Sequence, residues 1–243
     1  MKPFLLLASR AEDVAAEEEY RSYLRFGGLD EAQLRRVRLE AAPLPELDLA
    51  DYSGVIVGGS PFTSSDPEEQ KSDAQRRVER ELAGLLDRIV ELDFPFLGAC
   101  YGVGTLGRHQ GAVIDRTYGE GLGAVTIKLT ADGLQDPLLV GLSERFAAFV
   151  GHKEACTVLP GHAVLLAGSA TCPVQMFRIK RNLYATQFHP ELDVDGLALR
   201  INTYRHAGYF PPDDASRLIA EARKQAVTEP MKILRNFVQR YAA

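Results

Sequence analysis

The chain has 243 residues, 46% hydrophobic and 25% charged, which suits one large α/β domain or two small ones and excludes a disordered or fibrous chain. A formal net charge of −5 argues against a nucleic-acid partner, which would select a basic face. No apolar run approaches the roughly 18 residues that cross a bilayer, and the apolar core after Met1 is too short for a signal peptide, so a soluble cytoplasmic protein is expected.

In chain order, "PFLLLAS" (residues 3–9) is a continuous apolar run, as expected of a strand buried on both faces. Val14, Tyr20, Leu24 and Phe26 recur among acids and predict a helix from Glu12 to Phe26, stopped by Gly27-Gly28. "LRRVRLE" (34–40) alternates as a second strand, and "YSGVIVGGSP" (52–61) is a third, ending at Gly58-Gly59. Asp66 followed by Pro67 reads as a helix start, opening a helix with Val78, Leu82, Leu85 and Ile89 along one face. "FPFLGAC" (94–100) is the fourth strand. Alternating strands and helices predict a doubly wound, mostly parallel sheet.

After Gly111 come short strand-like segments, 123–130, 145–152, 163–170, 174–179 and 182–189, which predict an antiparallel meander at the edge of that sheet. From Asp195 onward the pattern is helical, broken at "GYFPPDD". With no linker, repeat or low-complexity tract, the simplest partition is one domain, residues 1–243, with a core to about 194 and a helical tail.

The segment "FPFLGACYGVGTLGRHQG" admits two readings. Gly102, Gly104 and Gly107 form Gly-x-Gly-x-x-Gly, a dinucleotide fingerprint, but helical pattern is lost within a few residues and Asp115 and Glu120 arrive too early to hold a ribose. Read from Gly98, Gly-x-Cys-x-Gly between a strand and a helix is a nucleophile elbow. Cysteine at the first turn of a helix meets unpaired N–H groups that favour its thiolate. The three cysteines, Cys100, Cys156 and Cys172, show no CxxC pair, so neither a disulfide framework nor a structural zinc site is expected.

Among five histidines, His189 ends an apolar strand and is followed by Pro190, which enforces extended backbone, so that Glu191 falls on the imidazole's side. His152 either lines a site or caps its strand. Nucleophile, base and orienting carboxylate make an acyl-transfer constellation, with Cys100, His189 and Glu191 in those roles. The oxyanion donors would be the Tyr101 N–H and one from the Gly58-Gly59 loop, whose alternative is a plain strand-ending turn.

"FLGACYG", "VIVGGSP", "GHKEACTVLP" and "ATQFHPEL", in this order, resemble the class I glutamine amidotransferases, and among them stand-alone proteins similar to the amidotransferase domain of GMP synthase. The resemblance runs from about Met1 to Glu191. It implies a flavodoxin-like fold and hydrolysis of glutamine to glutamate and ammonia through a γ-glutamyl thioester on Cys100. It further implies His189 and Glu191 as base and partner, with Gly59 and Tyr101 as oxyanion donors. Gly58 and the backbone of Gly151 and His152 would line the substrate pocket. No metal or organic cofactor is expected.

The family usually has glutamine where this chain has Gly104. That leaves an expected void in the substrate subsite, with Gln110 or Gln187 as candidates to fill it, or room for a bulkier γ-glutamyl compound. The ammonia acceptor would be a separate synthetase chain, and an oligomer is left open. The alternatives are a stand-alone γ-glutamyl hydrolase acting on a conjugate, or a non-catalytic regulatory subunit.

Overall fold

The computed structural model describes residues 1–242. The elements run β1 (Phe4–Ala8), α1 (Asp13–Gly27), β2 (Leu34–Arg38), β3 (Gly54–Val57), α2 (Asp73–Leu92), β4 (Phe96–Ala99) and α3 (Tyr101–His109). There follow β5 (Val113–Asp115), β6 (Glu120–Leu129), α4 (Ala131–Gln135), β7 (Arg145–His152), β8 (Ala155–Val158), β9 (Ala163–Gly168), β10 (Met176–Ile179) and β11 (Leu183–Thr186). The tail forms α5 (Val194–Thr203), α6 (Ala215–Ala222) and α7 (Met231–Tyr241).

Nine strands make one sheet in the order β2-β1-β3-β4-β11-β10-β9-β6-β7. The first five are mutually parallel, and the rest are antiparallel additions on one side, as the sequence pattern implies. β11 is the hinge of the design. It is the last strand of the meander in sequence, yet it docks parallel to β4 at the middle of the sheet. β5 and β8 pair separately as a small ribbon that the sequence pattern does not reveal.

β1, β3, β4 and β11 are buried along their whole length because helices cover both faces, which explains their unbroken apolar runs. Successive side chains point to opposite faces. Leu5, Leu7, Val55 and Val57 pack with α2 and α3, whereas Phe4, Leu6, Ile56 and Leu97 pack on the other side with Ile233, Leu234 and Phe237 of α7. The amphipathic end of the chain therefore covers its own core.

One predicted boundary is wrong. Asp66-Pro67 does not open α2; Pro67 precedes a single 3-10 turn at Glu68–Gln70, and α2 begins only at Asp73. Its cap is Ser72, whose Oγ accepts the Gln75 N–H at 3.1 Å. Among the described residues, no helix is long and apolar enough to cross a membrane.

Candidate active site

Four parallel strands end on one edge of the sheet, and each delivers part of a single cleft. Arg10 follows β1, Gly58-Gly59 follows β3, Cys100 follows β4, and His189 lies just past β11. The register aligns these ends, pairing Val57 with Gly98 and Thr186 with Ala99. The Cys100 N–H donates to the Thr186 carbonyl at 2.7 Å, which ties the start of α3 to β11. The crevice beyond the carboxyl ends of parallel strands is where open α/β sheets bind ligands.

Cys100 sits at the turn itself, with φ 53° and ψ −86°, a backbone state that L-residues avoid. The turn is tight because β4 and α3 nearly touch: a Cβ on Gly98 would lie 2.7 Å from the Gly102 Cα. Gly102 itself has room, its nearest neighbour being the Val57 carbonyl at 3.8 Å. The tight approach therefore belongs to position 98.

The His189 N–H donates to the Phe149 carbonyl at 3.0 Å, which anchors the segment after β11 to β7. Its ring Nδ1 is 2.8 Å from Glu191 Oε1, and both side chains are buried. Burial opposes charge on this ring, yet the Glu191 carboxylate and the adjacent Cys100 carry its pKa up to about 9. Burial likewise opposes an ionised Glu191, but His189 and Arg200 hold it well below the usual carboxylate range. The resting pair at neutral pH is thus imidazolium and carboxylate, beside the Cys100 sulfur.

Cys100, His189 and Gly151 line one cavity of about 40 Å³, walled also by Arg10 and Tyr209. An adjoining recess brings in Tyr101, His152, Glu154 and Gln187. Gly59 packs against the histidine, since a Cβ there would lie 2.8 Å from His189 Cε1 and 2.7 Å from Arg10 Nη2. Among the described residues, neither the Gly59 nor the Tyr101 N–H donates to a backbone carbonyl, so both are free for a ligand. Gly58 is not part of the lining: its N–H is spent on the Leu7 carbonyl, and a Cβ there would meet Glu19.

The void expected at Gly104 is absent. A Cβ at that position would lie 2.5 Å from Ser64 Oγ and 2.7 Å from Glu154 Oε1, so side chains from two other loops already fill the space. The Ser64 and Ser65 N–H groups fix the Glu154 carboxylate at 2.8 and 2.6 Å. Gly104 faces a different cavity, behind α3. Of the two suggested substitutes, Gln187 reaches the recess beside Cys100, with its Oε1 buried and unpartnered, whereas Gln110 lies beside His109 and His162.

The His152 ring nitrogens pair with the Glu154 carbonyl and Glu120 Oε2, each at 2.8 Å. With Cys172, His152 and Glu120 form a second buried Cys-His-Glu group, whose ligand atoms lie close enough to hold a metal ion. Its demands are met by protein donors, because Glu120 also accepts hydrogen bonds from Thr171 and Gln175. The Cys172 thiol is pushed up to about 12 by burial and Glu120, so it is no nucleophile at neutral pH.

Sequence reasoning missed Arg10, Arg200, Tyr204 and Tyr209, which also line the cavity around Cys100 and His189. A charged residue directly after a buried strand was the available signal for Arg10; the other three lie in the tail and carry no local motif.

The sequence profile described as glutamine amidotransferase class-I matches residues 26–196. Over 140 residues, 57% of this chain, the protein is 31% identical to one subunit of the glutamine-hydrolysing GMP synthase from Methanoculleus marisnigri, covering 65% of that protein. Over 154 residues, 61% of this chain, it is 33% identical to the glutamine-hydrolysing GMP synthase of Porphyromonas gingivalis, covering 26% of it. The chain thus spans less than two thirds of the first and about a quarter of the second. In fold it is similar to a glutamine amidotransferase from Thermotoga maritima, with a TM-score of 0.78 at 20% identity over 99% of this chain and 98% of that one. It is likewise similar in fold to a glutamine amido transferase from Methylobacillus flagellatus, with a TM-score of 0.71 at 16% identity, covering 98% and 95%.

Proposed function

Because the chain belongs to the class I glutamine amidotransferase family, we propose that it hydrolyses the side-chain amide of glutamine, with Cys100, His189 and Glu191 as its catalytic triad. The reading rests on one observation above all: two parallel strand ends place the Cys100 thiol and the Glu191-paired imidazole on the same small cavity.

The Cys100 thiolate attacks the amide carbon, and the free N–H groups of Gly59 and Tyr101 hold the oxyanion that develops on the carbonyl oxygen. Imidazolium His189 passes its proton to the leaving nitrogen, the C–N bond breaks, and ammonia departs from a γ-glutamyl thioester. Neutral His189 then takes a proton from water, whose oxygen attacks the thioester. The C–S bond breaks, glutamate leaves, and the thiolate–imidazolium pair is restored. Glu191 keeps the ring in line through both halves. The backbone of Gly151 and His152 flanks the substrate's amino-acid end, with the Glu154 carboxylate in the adjoining recess.

By analogy with relatives named as single subunits of a GMP synthase, the ammonia would pass to a synthetase on a separate chain. A free, reactive thiol suits a reducing compartment such as the cytoplasm.

Cys100→Ala and Cys100→Ser are expected to abolish ammonia release from glutamine while circular dichroism and melting stay native. A thiol-reactive glutamine analogue should leave its adduct on Cys100 by mass spectrometry. Ammonia release by Cys100→Ala would overturn the assignment.

A further inference from the structure

We infer that Arg200, on the helix that begins the tail, is a positioning residue of the catalytic centre, clamping the Glu191 carboxylate so that it holds His189 toward Cys100. The inference rests on the triad reading above but adds a residue that lies beyond the family-matched segment, which ends at 196.

Arg200 is 5% exposed, and its Nη1 is 2.9 Å from Glu191 Oε1, the oxygen that also receives His189 Nδ1–H. The other side of the guanidinium lies 3.5 Å from Glu18 and 3.6 Å from Glu19, both on α1. Glu19 in turn pairs with Arg10 at 2.9 Å. Buried guanidinium and carboxylate groups therefore alternate from the end of β1 to the triad, and none of these charges is left alone in the interior. Arg200 holds the carboxylate through one nitrogen, on the oxygen that meets the ring, and so biases that oxygen to stay on the histidine it orients.

Arg200 also bears on the ring itself, since its Nη1 lies 3.2 Å from His189 Nδ1. When that nitrogen carries a proton, two donors face each other, so the arginine opposes the imidazolium that Glu191 favours. The remaining groups around the ring are the Cys100 thiol from the elbow, Arg10 from the end of β1, and the phenols of Tyr204 and Tyr209 in the tail. The buried Tyr23 phenol of α1 stands behind Glu191. Removing the Arg200 charge therefore leaves Glu191 to hold the ring's proton unopposed, and the alkaline limb of the rate profile should move up.

The test compares Arg200→Gln and Arg200→Lys with the wild type in glutamine-dependent ammonia release across pH 5 to 11. For Arg200→Gln, kcat is expected to fall about 10- to 100-fold, as when an outer partner of an orienting group is lost. Its alkaline limb should rise by about half a pH unit or more. Arg200→Lys, which keeps the charge on a shorter side chain that does not reproduce the guanidinium's contact with Glu191, should restore the wild-type limb while kcat recovers only in part. A glutamine variant with a wild-type limb, whatever its kcat, would reduce Arg200 to a structural role and overturn the inference. If that variant does not fold, the lysine variant decides alone: a lowered kcat at an unmoved limb supports the clamp, and a wild-type kcat overturns it. Activity surviving in Cys100→Ala would instead remove the underlying triad, an outcome no Arg200 variant can mimic.

Discussion

Cys100 carries the clearest mark of function at the scale of a single residue. Its φ of 53° holds an L-residue where glycine is at ease, and the conformation persists because the close approach of Gly98 to Gly102 leaves the chain no other way round the turn. Strain of this kind costs about 1–3 kcal/mol, against roughly 0.5–1 kcal/mol for the extra freedom of an unfolded glycine. Cys100→Gly should therefore raise the unfolding free energy by about 1 kcal/mol while eliminating hydrolysis. Urea denaturation would read the first effect; a variant less stable than the wild type would mean that the turn is relaxed. The residues of this turn were legible in sequence because their spacing has a mechanical meaning. His189 and Glu191 do meet, but across a turn closed by the Leu192 N–H on the His189 carbonyl at 3.4 Å, not along the extended backbone expected of Pro190. Glu154 beside Gly104 was not legible, since the two are 50 positions apart and meet only through tertiary packing.

Legibility among the elements follows burial. The central strands announce themselves as continuous apolar runs because both their faces are covered, whereas β5 and β8 are short and expose Val113 and Val158. The start of α2 is misleading in sequence because proline fixes φ without fixing ψ. Pro67 adopts φ −54° and ψ 142°, extended rather than helical, and the better signal was Ser72-x-x-Gln75, a capping-box pattern. The tail helices show amphipathic patterns but no sign of where they dock. α7 lays Phe237, fully buried, 5.8 Å from the Phe4 ring and 5.0 Å from that of Tyr241. Phe237→Ala should accordingly cost about 3–5 kcal/mol in chemical denaturation. A loss below about 1 kcal/mol would mean that α7 is a dispensable cover.

Across the whole molecule, the buried charges tie stability to pH in a defined direction. His189 titrates near 9 when folded, against about 6.5 when unfolded. Its contribution is thus complete below pH 6.5 and vanishes as the pH rises through 9. Glu191 is depressed, so its share is present above about pH 4.5 and fades in acid. The stability gap between wild type and His189→Gln should shrink from about pH 6.5 to about 9.5 in a denaturation series, and a gap that widened would reverse the sign assigned to the ring. The parallel pairing of β11 with β4 has a temporal consequence as well. Cys100 and its proposed base His189 stand 89 positions apart in the chain and share no local structure. On the proposed mechanism, a ribosome-bound chain that has not yet threaded β11 into the sheet holds Cys100 without its base, so reactivity would arrive with the last central strand rather than before it.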